Sequence, residues 1–172
     1  MAWFVNLAVE CESESVAQRV YAAFVGQKVR AAGLDVLFSR VEKFPQNDLW
    51  YVLVDPAGLG WNPGAPYVEA LHAPRAMAEI REGVYELLRP VSGFRRAWFA
   101  EEAYDALACW SDPSDFMLFE LPHLVLAEGL IPDEELRTFA VPFSPGYVRL
   151  EGLPEGLEYR RWRAAREERK NA

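Results

Sequence analysis

The apolar period of this chain switches between two and about 3.6 residues along its first hundred positions. A fold that buries both kinds of pattern in one core has helices laid on a sheet. Trp3, Val5, Leu7 and Val9 fall on one face, with Phe4, Asn6 and Ala8 on the other. That is the repeat of a strand. Ser15 and Gln18 have the spacing of a capping box, in which the two side chains satisfy orphan amides of a helix start. Val16, Val20 and Phe24 then recur one turn apart, and Gly33 stands where a helix-ending glycine is expected. The spacing predicts a helix over residues 15–32.

Residues 34–42 alternate again. Phe44, Pro45, Gln46, Asn47 and Asp48 have turn chemistry, and residues 49–54 form a continuous apolar run suited to a central strand. A loop rich in Gly and Pro covers 55–66. Pro74 opens a second helix, with Met77, Ile80, Val84, Leu87 and Leu88 as its apolar stripe and Arg89-Pro90 as its stop. Residues 94–100 make a fourth strand. The order β-α-β-β-α-β over residues 3–100 is that of a ferredoxin-like core, with both helices expected on one face of an antiparallel sheet.

Residues 101–172 predict an α/β extension packed on that core within one domain. Its expected parts are a short helix at 101–110, strands at 116–121, 123–127 and 147–150, a helix start at Pro132, and an Arg-rich terminal helix at 157–170. Hydrophobic residues are 51% and charged residues 26% of the 172, which excludes disorder. A chain of this size buries roughly 70% of its unfolded surface.

The net charge of -8 is unevenly placed. Residues 101–157 hold twelve acidic and two basic side chains, Arg137 and Arg149, for a local balance of -10. Residues 158–172 hold six basic and three acidic ones, for +3. Such an acidic stretch repels nucleic-acid phosphates and anionic membrane surfaces, and it steers basic proteins inward. No apolar run approaches a membrane span, and the first ten residues lack the basic start and cleavage site of a signal peptide. Two cysteines, Cys11 and Cys109, point to a reducing cytoplasm.

Motifs for chemistry are sparse. Gly58, Gly60 and Gly64 follow a strand and precede a helix, as phosphate-binding loops do, but their spacing is one residue too long for the dinucleotide fingerprint and Pro63 removes a donor. His72 and His123 belong to no metal-binding or catalytic motif, so no cofactor, metal or catalytic residue is assigned. Carboxylates flank Cys11 and disfavour its thiolate. The carboxylates Glu101, Glu102, Asp105, Asp112 and Asp115 lie within fifteen positions. They lack the pattern of a calcium loop.

These features predict a non-catalytic protein of the immunity or inhibitor type, which neutralises a cationic partner such as a toxin. The expected contact residues are Glu101, Glu102, Asp105, Trp110, Asp112 and Asp115, with Trp61 and Tyr67 as aromatic anchors. Two other expectations stand beside it. One is a small-ligand domain or enzyme that uses the 58–64 loop with a histidine. The other is a structural homo-oligomer.

Overall fold

The computed structural model describes residues 5–59, 68–101, 123–131 and 134–151, together with positions 103, 104, 107, 165 and 168. It is a mixed α+β fold. Eight strands form one sheet: β1(Val5–Cys11), β2(Lys28–Ala31), β3(Leu34–Gln46), β4(Leu49–Pro56), β5(Phe94–Glu101), β6(Val125–Ala127), β7(Ala140–Ser144) and β8(Tyr147–Leu150). Their order is β2-β3-β4-β1-β5-β6-β8-β7, and every neighbouring pair is antiparallel. The longer helices are α1(Glu14–Phe24) and α2(Pro74–Leu88).

Strand alternation sends odd-numbered residues of β1 to one face. Leu7, Val9 and Cys11 are wholly buried there against Val20 and Phe24 of α1 and Ile80, Val84 and Leu88 of α2. The even-numbered residues face a second core, in which Ala8, Leu53, Trp98, Leu124 and Leu150 are buried. β6, β8 and β7 join the same sheet beside β5, so this part of the extension is continuous with the first hundred residues.

The first helix is shorter than its periodicity suggests. Its N-cap is Ser13, whose side chain accepts from the Val16 amide, and not Ser15. It ends at Phe24, after which Val25 turns extended and Gly26 takes φ 72°. Residues 28–31 leave the helix to form β2, with Val29 and Ala31 buried and Lys28 and Arg30 exposed. Gly33 is therefore a hairpin residue. It follows Ala32 in the left-handed region (φ 77° and 50°), the backbone of a two-residue turn matched to strand twist.

β2 packs on α2 at Gly83, where an added Cβ would lie 2.9 Å from the Val29 side chain. β3 likewise runs past Pro45 to Gln46, and the turn is Asn47-Asp48 (φ 48° and 64°). Proline is tolerated because β2 pairs only with Leu34–Leu37, which leaves the outer side of β3 unpaired at Pro45. The same reason accommodates Pro142 in β7, the outermost strand. Of the elements expected beyond residue 101, β6 and β8 are present. The helix start beyond Pro132 is one turn, Glu134–Arg137. The expected strand at 116–121 lies outside the described residues, as does the 157–170 helix except at positions 165 and 168.

Candidate functional site

β5 ends at Glu101, opposite Val5 on β1. From there the chain passes over the second face, where Ala103 and Leu107 are buried and Tyr104 packs edge-on against Phe44 and Tyr51. Glu102, Asp105, Trp110, Asp112, Asp115, Trp61 and Tyr67 lie outside the described residues.

Both arginines of the acidic stretch are engaged by carboxylates. Arg137 meets Glu134 at 3.3 Å. Arg149 reaches both oxygens of Glu82 on α2 at 2.8 and 2.9 Å and also pairs with Glu151. Elsewhere, Lys28 pairs with Asp35, Lys43 with Glu14, Arg75 with Glu79 and Arg89 with Glu86. Such exposed pairs contribute little to stability, but they engage basic groups within the chain.

The glycine loop meets His72. Gly58 accepts the Val68 amide at 3.2 Å, and the His72 Nε2 lies 3.3 Å from the same carbonyl. Anion cradles present backbone N–H groups to their ligand, whereas Gly58 presents an oxygen here. The adjoining groove of about 240 Å³ is lined by Leu34, Val36, Leu37, Ala57, Val68 and Leu71, with Asp35 as its charged residue. Its chemistry is apolar.

His123 sits in a different place, at a turn before β6 with φ 66°. Its amide donates to the Leu150 carbonyl at 3.0 Å, and its carbonyl accepts from the Tyr85 hydroxyl at 2.7 Å. Burial, then Arg81 and Arg149, hold its imidazole pKa below the ordinary histidine value. Its Nδ1 is buried without a hydrogen-bond partner among the described residues. Among the described residues, His72 meets the loop at Gly58, and His123 lies at the turn before β6.

One cluster carries no motif in the sequence. Glu10 of β1 is wholly buried on the second face, opposite both Tyr51 of β4 and Arg96 of β5. Arg96 grips both carboxylate oxygens, with Nε at 3.1 Å from Oε1 and Nη2 on Oε2. Arg95, at a bulge between β1 and β5, adds its Nε to Oε1 at 2.8 Å, and the Tyr51 hydroxyl donates to Oε2 at 3.3 Å. Burial, aided by the Glu10 charge, pushes the Tyr51 phenol and the Cys11 thiol each up to about 12. A thiol so shifted is not a nucleophile near neutral pH. The sequence offers no signal for this cluster, because it depends on the pairing of β1 with β4 and β5.

Among the described residues no three His, Cys, Asp or Glu side chains converge as metal ligands. No described helix is long and apolar enough to cross a membrane. No protein-family model, curated protein or solved structure matches the chain.

Proposed function

We propose that this chain is a non-catalytic binding protein of the immunity or inhibitor type, which captures a basic protein such as a cationic toxin on the acidic surface of residues 101–157. One observation carries the reading. The stretch holds twelve acidic side chains, and its two arginines are already held by Glu134, Glu82 and Glu151. The excess negative charge has no further cation within the stretch itself, so an Arg- or Lys-rich partner would be drawn to it. Glu101, Glu102, Asp105, Asp112 and Asp115 would pair with that partner's cations, while Trp61, Tyr67 and Trp110 supply apolar contact. A reducing cytoplasm is the compartment proposed for it, in keeping with the buried, protonated thiol of Cys11.

At the level of fold, we infer a ferredoxin-like core. The β3-β4-β1-β5 order, with α1 and α2 on one face, fits the split βαβ pattern. The β2 hairpin is an insertion after α1, and β6-β8-β7 extends the sheet beyond β5.

The test is charge reversal. The chain with Glu101, Asp105, Asp112 and Asp115 all changed to Lys is compared with the parent for capture of a basic protein from the source cells, identified by mass spectrometry. The reading expects loss of capture with a nearly unchanged Tm. Unchanged capture overturns it. A collapse of Tm also overturns it, because the carboxylates would then be tied to cations of their own chain.

The exposure of Leu34 (45%) and Leu37 (58%) above the apolar groove favours a second reading, self-association as a structural oligomer. Light scattering on the parent and on Leu37→Lys decides it. A dimer that the substitution dissociates supports the second reading, and a monomeric parent removes it.

A further inference from the structure

We propose that Asn6 and Asp55 form a proton-dependent clasp between β1 and β4, in which a proton on Asp55 Oδ1 is donated to the amide oxygen of Asn6. The pairing Leu7↔Val54, continued by one position, sets Asn6 opposite Asp55. Ala8 and Leu53, two positions along each strand, lie in the second-face core. Alternation therefore turns the side chains of Asn6 and Asp55 to that same face. Asn6 is 4% and Asp55 9% exposed, and the Oδ1 atom of each is buried without a hydrogen-bond donor among the described residues.

Two adjacent buried acceptors lack a donor, and buried polar atoms are seldom left so. A proton shared between the two oxygens serves both acceptors at once, whereas turning the Asn6 amide would bring its NH₂ donor to Asp55 alone. Arg40 of β3 already places its Nε 2.7 Å from Asp55 Oδ2, so a second cation would face a guanidinium. A proton meets the need. Solvent supplies it, the Oδ1–H bond forms, and Oδ2 remains as the carbonyl acceptor for Arg40. The Arg40 charge stays balanced by Glu42, whose Oε1 lies 3.1 Å from Nη1.

Burial, with Glu42 assisting, raises the Asp55 pKa, while Arg40 opposes the rise. On the strands that flank the pair, Arg40 and Glu42 are the charged groups facing it from β3. Ala100 of β5 stands opposite Asn6 and does not titrate. On β1, the next ionisable residue of that face is Glu10, four positions away. The clasp lies at the end of β4 from which the chain leaves the sheet through Ala57 and Gly58, and the Asp55 carbonyl there accepts from Ser39 Oγ at 3.1 Å. Uptake of the proton would tighten that end of the sheet.

The test is the titration of the Asp55 carboxyl carbon, followed by ¹³C NMR in the whole chain and in Asn6→Ala. The proposal expects a midpoint above 3.8 in the parent and a lower one in Asn6→Ala, because the neutral acid loses its acceptor. A midpoint that rises in Asn6→Ala means that the amide donates to the carboxylate. An unchanged midpoint means that Asn6 does not sense the proton. Either result overturns the proposal, as does a parent midpoint at or below 3.8. Should Asn6→Ala fail to fold, Asp55→Asn replaces the acid with a permanent amide donor. The clasp then predicts a Tm at pH 7 no lower than the parent's and a gap that narrows as pH falls; a gap that widens refutes it.

Discussion

Glu10 and Arg96 face each other across the β1–β5 ladder, 0% and 2% exposed, with the guanidinium gripping both carboxylate oxygens. Desolvating two charges is expensive, and removing one partner strands the other. Arg96→Ala is expected to cost about 3–5 kcal/mol in denaturant unfolding. Glu10→Gln, which keeps an acceptor for Arg95 and Arg96, should cost less. Replacing both partners with Leu and Met should recover most of the loss, since a packed apolar pair often matches a buried ion pair. A loss below about 1 kcal/mol for Arg96→Ala would show that water reaches the pair.

Val29 of β2 packs against Gly83 of α2. Glycine inside a helix costs about 1 kcal/mol relative to alanine, so Gly83→Ala would stabilise an open helix. Here the new Cβ would stand 2.9 Å from Val29. The substitution should destabilise by about 1–3 kcal/mol through overpacking. Val29→Ala in the same chain should relieve part of that, giving a coupling measurable in a double-mutant cycle. A Gly83→Ala chain more stable than the parent would mean that β2 is not seated on α2.

The layout of the helix-bearing face was legible because its signal is local. The alternation of Val5, Leu7 and Val9, the stripe of Val16, Val20 and Phe24, and the run through Val52 and Val54 each place their residues in one core. The β2 hairpin was not legible, since Val29 and Ala31 continue an apolar pattern that a helix also explains and Gly33 suits either ending. Pro45 and Pro142 argue against strands unless the strand has an unpaired edge, which only the sheet order shows. The Glu10–Arg96–Tyr51 cluster and the Asn6–Asp55 pair depend on register between segments more than 40 positions apart, which no single sequence displays. Of the proposed partner-contact residues, only the strand position of Glu101 falls among the described residues, so their clustering rests on sequence spacing.

Cys11 tests the depth of the helix-bearing core. Its thiol, at 0% exposure, is pushed up to about 12 by burial and then by the neighbouring Glu10 charge. In native buffer at pH 8 it should react with an aromatic disulfide far more slowly than in denaturant. The unfolded thiol ionises near 9.0 and the folded one near 12. The thiol's contribution to stability is therefore full below pH 9 and is lost as pH rises from 9 towards 12, by at most about 1.4 kcal/mol per unit. Tyr51 adds to the same alkaline loss from pH 10 upward. Cys11→Ala should flatten the lower part of that slope. Rapid labelling of the native chain would contradict the buried placement.

His123 sets the corresponding acid limb. Its ring is partly buried beside Arg81 and Arg149, and both burial and these charges favour the neutral imidazole. The folded pKa lies below 6.5 while the unfolded one does not. The contribution is thus present above pH 6.5 and is lost as pH falls through the folded value, where the unfolded state binds the proton first. Asn tolerates the left-handed backbone that His123 adopts, so His123→Asn removes the titration without adding strain. The expected result is a variant whose Tm declines less than the parent's between pH 7 and pH 5. Equal declines would place the imidazole in water, away from the two arginines. A histidine whose NMR midpoint lies above the ordinary value would reverse the sign and point to Glu82 and Glu151 as its dominant neighbours.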